Sequence, residues 1–224
     1  MKVKNNRIRI IIGHYGSGKT EFSVNYAIKL KEAYDKVTLA DLDVVNPYFR
    51  SRQQEEMLTS KGITVIGSSI KGSGSDLPAV SGGVLGPLQS EDTQVVLDVG
   101  GDSAGARTLG RYEEYFTEGN YDMFCVVNAN REQTSTVEGI LRHVYAIEKT
   151  AKAKVTGIIN NTHLLRDTTV EEVLKGQKLC KEAAEKLRVP IKYVAAIEEV
   201  AKKLPSDIEG EIFPIKMYMR EKWM

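Results

Sequence analysis

Residues 13–20 read Gly13-His14-Tyr15-Gly16-Ser17-Gly18-Lys19-Thr20, between a continuous apolar run, Arg7-Ile12, and an amphipathic segment, Glu21-Ala33. No other stretch restricts the fold as much. The octapeptide satisfies G-x-x-x-x-G-K-[ST] in the context that this pattern requires, a buried strand before it and a helix after it. Gly13, Gly16 and Gly18 let the backbone wrap closely around an anion with its N–H groups pointing inward. The following helix adds its positive N-terminal end. His14, Tyr15 and Ser17 complete the loop, Lys19 can reach β- and γ-phosphates, and the Thr20 hydroxyl suits Mg²⁺.

The rest of the chain continues the strand–helix alternation. Val37-Ala40, Thr64-Ile66, Val95-Leu97, Met123-Val127, Val155-Ile159 and Ile191-Val194 read as strands. Several are continuously apolar, as expected when helices cover both faces of a sheet. Thr136-Lys149 and Thr169-Leu187 read as helices, with capping boxes at Ser135-x-x-Glu138 and Thr168-x-x-Glu171. The pattern predicts an α/β fold of three layers, with a mainly parallel, twisted sheet of about seven strands in one domain spanning 1–224. The stretch Gly67-Pro87, rich in glycine and serine, reads as a surface loop around a short helix near Leu77-Val80, or as a mobile segment that contacts a partner.

Composition narrows the function classes. With 31 Lys+Arg against 30 Asp+Glu the net charge is +1, which excludes a protein that holds nucleic acid by bulk charge alone. The densest basic stretch, Lys149-Lys154, reads as a solvated helix end, so no nucleic-acid partner is expected. Cys125 and Cys180 are the only cysteines, and His14, His143 and His163 lie far apart. A disulfide scaffold and a zinc cluster are therefore both disfavoured. No apolar run approaches the ~20 residues of a membrane span, and near the N-terminus the run Ile8 to Ile12, ended by a glycine, is too short for a signal-peptide core. The tail Ile212-Met224 has apolar residues but opens at Pro214 and reads partly as a strand, so no membrane attachment is expected. The expected location is the cytoplasm.

Carboxylates stand at two strand ends: Asp41 and Asp43 in Ala40-Asp41-Leu42-Asp43, and Asp98 in Val95-Val96-Leu97-Asp98-Val99-Gly100-Gly101. That edge is where open α/β sheets bind ligands. In this order and spacing, the phosphate loop and the two acidic strand ends resemble the MinD/ParA-like branch of SIMIBI-class P-loop ATPases, the CobQ/CobB/MinD/ParA family, from Arg7 to about Val194. The resemblance implies Mg·ATP binding, slow hydrolysis and a nucleotide-dependent homodimer. It also implies roles: Lys19 and Asp43 catalytic, Thr20, Asp41 and Asp98 around magnesium, and Gly100 and Gly101 in a switch segment. One departure stands out. Where the family carries a signature lysine, this chain has His14, so Arg50, Arg52 or Arg131 is a candidate for the missing positive group.

For the base, the strand end Ile159-Asn160-Asn161-Thr162-His163-Leu164 lacks the lysine and aspartate of a guanine-reading Asn-Lys-x-Asp. An asparagine offers adenine both an acceptor and donors. Asn160 or Asn161, with Thr162 beside them, matches the family's adenine contact, and Ala195-Ala196-Ile197 is positioned to pack against the base. The polar segment Asn128-Thr136 reads as a contact for a partner or substrate, or as a helix cap. Three functions remain open: an ATP-driven switch with an unidentified protein partner, an ATP-dependent small-molecule ligase or kinase of the dethiobiotin/cobyrinate synthetase type, and a nucleotide sensor with little hydrolysis.

Overall fold

The computed structural model describes residues 5–43, 54–67 and 82–219. Strand β1 (Ile8–Ile12) is buried throughout and lies between β4 (Gln94–Asp98) and β5 (Tyr121–Val127). With β2 (Val37–Asp41), β3 (Thr64–Ile66), β6 (Gly157–Asn160), β7 (Ile191–Ile197) and β8 (Glu211–Ile215) it forms one eight-stranded sheet, ordered β3-β2-β4-β1-β5-β6-β7-β8. Every pairing is parallel. After β5, each new strand lies beside the one before it.

Alternation along the strands divides the core in two. Ile8, Ile10 and Ile12 point into one cluster with Val144 and Cys180, whereas Ile11 points into the other with Phe22, Tyr26 and Phe213. The first cluster is covered by α4 (Ser103–Leu109), α5 (Val137–Ala151) and α6 (Val170–Leu187). The second is covered by α1 (Lys19–Lys31) and α2 (Glu55–Ser60). Short helices α3 (Leu85–Gln89) and α7 (Glu198–Ala201) fill the edges. Helices on both faces explain why the strands read as unbroken apolar runs.

Two expectations need adjusting. The sheet has an eighth strand, and it comes from the tail that the sequence only partly marks as extended. Pro214 lies on this edge strand, where its missing N–H removes no interior ladder bond. The helix caps also fall one residue later than the capping boxes indicate. Thr136 Oγ1 accepts from Gly139 N–H at 3.1 Å and Thr169 Oγ1 from Glu172 N–H at 3.3 Å. Ser135 is already helical (φ −79°, ψ −6°) and donates back to the Glu132 carbonyl. Thr168 bonds the turn at Leu164 and Leu165. Each is occupied one step before its helix starts. Of the Gly67-Pro87 stretch, residues 68–81, and with them the helix expected near Leu77-Val80, lie outside the described residues.

Candidate functional site

The loop between β1 and α1 has the geometry that can receive an anion. Gly18 is the N-cap of α1 in left-handed geometry (φ 81°, ψ 20°), and no side chain caps the helix. By contrast α4, α5 and α6 are each capped by a side chain, from Asp102, Thr136 and Thr169. The first N–H groups of α1 therefore lack a side-chain acceptor, and its positive end faces the loop. The conformation of Gly18 would strain any other residue. In addition, a Cβ there would lie 2.4 Å from the Asn161 amide nitrogen.

Lys19, Thr20 and Ser17 are buried, and Ser17 N–H closes the loop on the His14 carbonyl at 3.0 Å. The Lys19 ammonium lies 3.6 Å from Asp43 Oδ2, with both side chains nearly inaccessible. Asp41 Oδ1 accepts from Asp43 N–H at 3.0 Å, which fixes the turn after β2. Asp41 and Asp98 are register partners at the ends of adjacent strands. Asp98 is fully buried, and Ser23 Oγ donates to its Oδ1 at 3.2 Å. Its Oδ2 is buried with no hydrogen-bond partner among the described residues. Burial raises its pKa to about 6, against the opposing pull of Lys19 and the Thr20 hydroxyl. Gly101 is pressed onto the loop, where a Cβ would lie 2.6 Å from the Gly13 carbonyl oxygen and 2.9 Å from Tyr15 N.

Away from the carboxylates, an open cleft enclosing about 900 Å³, solvent included, runs from Gly16, Gly18, Lys19 and Thr20 to Asn161 and Ile197. The structure separates the two asparagines. Asn160 is consumed internally: its Nδ2 donates to the Val173 carbonyl and to Gln177 Oε1, and its Oδ1 accepts from Thr162 N–H. Thr162 is also turned inward, accepting from Ala129 N–H. Asn161 lines the cleft; its Nδ2 donates to the Ser17 carbonyl at 2.8 Å, and its buried Oδ1 has no hydrogen-bond partner among the described residues. That bond sets the amide orientation, because only the nitrogen can donate to a carbonyl.

His14 turns away from the cleft and packs edge-on against His143 of α5, with ring centroids 5.6 Å apart. Burial, together with His14 and Lys19, pulls the His143 pKa down to about 4. Tyr15 is 58 % exposed. Of the three candidate arginines, Arg131 lies on the phosphate loop, with Nε donating to the Gly16 carbonyl at 3.1 Å. Arg50 and Arg52 lie outside the described residues.

Sequence reasoning gives no specific role to Asn128, His163 or the C-terminal segment. Asn128 Oδ1 accepts from His163 N–H at 3.3 Å, and its Nδ2 lies 3.5 Å from the Gly16 carbonyl. It thereby ties the phosphate loop to the loop after β6. A polar residue at a strand end is a signal, but its partners are distant in sequence. Among the described residues, no helix is long and apolar enough to cross a membrane.

No family model matches the chain, and no curated protein matches it in sequence. Solved structures share its fold. The cell division protein FtsY of Thermotoga maritima aligns with TM-score 0.56 and 22 % identity, over 88 % of this chain and 65 % of that one. Chloroplast FtsY of Physcomitrella patens aligns with TM-score 0.55 and 16 % identity, over 87 % and 60 %. The signal recognition particle receptor FtsY of Elizabethkingia anophelis, solved in complex with GDP, aligns with TM-score 0.52 and 15 % identity, over 87 % and 58 %. The chain thus spans less than two thirds of the length of these structures. The likeness establishes an open, parallel α/β sheet of the P-loop NTPase type.

Proposed function

We propose that this chain binds Mg·ATP, hydrolyses it slowly and acts as a nucleotide-dependent switch of the MinD/ParA-like kind, working as a homodimer. The observation that carries the reading is the convergence on one uncapped helix end of Lys19, Thr20, Asp43 and the buried Asp98. The amide groups at the start of α1 and Lys19 meet the β- and γ-phosphates. Asp43, held beside Lys19, orients the attacking water. Arg131, already on the loop, supplies a positive group in place of the missing lysine.

The residues present suit a magnesium ion. Asp98 has a buried carboxylate oxygen without a partner and the Thr20 hydroxyl beside it. Thr20 and Asp98 would hold the ion, with Asp41 close by, and phosphate oxygens and water would complete its shell. When bound, it neutralises charge on the β- and γ-phosphate oxygens.

ATP is favoured over GTP by Asn161. Its amide nitrogen is committed to the loop, which leaves an acceptor for a donor on the base. The 6-amino group of adenine donates, whereas the 6-oxo group of guanine at the same place accepts and would leave the buried oxygen unpaired. The FtsY neighbour solved with GDP therefore need not indicate the base used here.

The test is phosphate release from ATP and from GTP with and without Mg²⁺, alongside calorimetric binding. Expected are binding and slow release with ATP, at least tenfold weaker binding of GTP, loss of binding in Lys19→Ala, and retained binding without turnover in Asp43→Asn. Release only when a carboxylate substrate is added would identify a ligase instead. Equal affinity for both nucleotides would refute the role given to Asn161.

A further inference from the structure

Beyond β8 the backbone runs back along α1, held at two points. Asn25 Nδ2 donates to the Lys216 carbonyl and Asn25 Oδ1 accepts from Lys216 N–H, both at 2.8 Å. One turn earlier, the two carboxylate oxygens of Glu21 accept from Tyr218 N–H at 2.6 Å and from Met219 N–H at 3.1 Å. Residues four apart share a helix face, so Glu21 and Asn25 form one rail for residues 216–219. Glu21 directly follows Thr20, within the helical turn that starts at the phosphate loop. A carboxylate so near an anion site is unfavourable unless its charge is engaged, and here both oxygens bind backbone N–H groups. The rail sets Met217 and Met219 into the wall of the cleft whose other lining residues include Gly18, Asn161 and Ile197.

We infer that Met217 and Met219 form the wall that receives the flat face of the nucleotide base, with Glu21 and Asn25 as positioning residues. Docking of segment 216–219 and binding of the base are then coupled. This rests on the ATP reading above. The chemistry suits an aromatic occupant: a thioether is polarisable, adapts its shape, and makes favourable contacts with aromatic rings. The occupant is a base rather than a separate apolar ligand because the cleft is continuous with the phosphate loop. The phosphates, held at Gly18–Thr20, fix how far the base can reach. The consequence is specific. A ligand with phosphates and no base binds the loop without engaging the segment.

The experiment uses the full chain and two probes, Mg·ATP and Mg·tripolyphosphate. In the Met217→Ala/Met219→Ala double variant, the Kd for ATP is expected to rise about tenfold, with the Kd for tripolyphosphate unchanged. In the unsubstituted chain, Mg·ATP is expected to slow hydrogen exchange at the Tyr218 and Met219 amides, and Mg·tripolyphosphate is not. Glu21→Ala should raise basal exchange at both amides and abolish the ATP-specific slowing. An unchanged ATP affinity in the double variant overturns the inference alone. So does an equal loss for both probes, or exchange that responds equally to both. An unsubstituted chain that binds neither probe overturns the nucleotide reading and the inference with it.

Discussion

Burial favours the neutral forms of both Asp98 and His143, with opposite consequences for the pH dependence of stability. Asp98 is raised from 3.8 to about 6. Between those values the folded chain binds the proton more readily than the unfolded one, so stability falls as pH rises through the window. His143 is lowered from 6.5 to about 4; there the unfolded chain takes the proton first, so stability falls as pH drops through that window. In the absence of metal and nucleotide the two effects oppose each other between about pH 4 and 6. Asp98→Asn should remove the first. Because each tenfold change in proton affinity is worth ~1.4 kcal/mol, the melting temperature of this variant at pH 7.5 is expected to rise by several degrees. Near pH 4 it should be unchanged. Thermal melts in EDTA at both pH values check this, and Mg-dependent turnover should be lost in the same variant. On the reading proposed above, the charge at position 98 destabilises the unliganded fold and serves the metal site. Lys19, Thr20, Asp43 and Asp98 are legible in the sequence because the motif and the strand ends fix their spacing. The choice between Asn160 and Asn161 is not. Neighbours on a strand face opposite sides, and Asn160 is drawn inward by α6, whose Gly176 lies against Thr162 and Asn160.

At the scale of elements, the turn after β4 works by close approach. A methyl group on Gly101 would press on the backbone of the phosphate loop, a form of overpacking that costs about 1–3 kcal/mol. Gly101→Ala is expected to weaken Mg·ATP binding by at least tenfold in calorimetry. Asn128→Ala should loosen the same loop from the other side, raising hydrogen exchange at Gly16 and His163 together. The caps offer a cleaner comparison. Thr136→Ala should cost about 1 kcal/mol in denaturant unfolding, whereas Ser135→Ala should stay within ~0.5 kcal/mol. The existence of these helices is readable from periodicity, and their starts within a residue. The start itself depends on which hydroxyl the preceding turn has already engaged, and a capping box read in isolation does not contain that.

At the scale of the molecule, the alternation of strands and helices is enough to indicate a parallel three-layer fold. The eighth strand is hidden because its apolar side chains, Phe213 and Ile215, meet their partners Phe22 and Tyr193 only across long stretches of chain. Binding to the folded state alone raises stability by RT ln(1 + [L]/Kd), about 2.7 kcal/mol at a hundredfold excess over Kd. Mg·ATP should therefore raise the melting temperature measurably, and Lys19→Ala should abolish the rise. The strand order bears on how the molecule comes into being on the ribosome. The first four strands assemble around β1 out of sequence and β5 joins β1, but β6, β7 and β8 are laid down in the order of synthesis, each against its predecessor. The phosphate loop precedes the cleft wall at 217 and 219 in the chain and so emerges well before it. A nascent chain can thus carry a formed phosphate loop long before it can grip a base. Full nucleotide capture is thereby deferred until the sheet has been built out to its far edge.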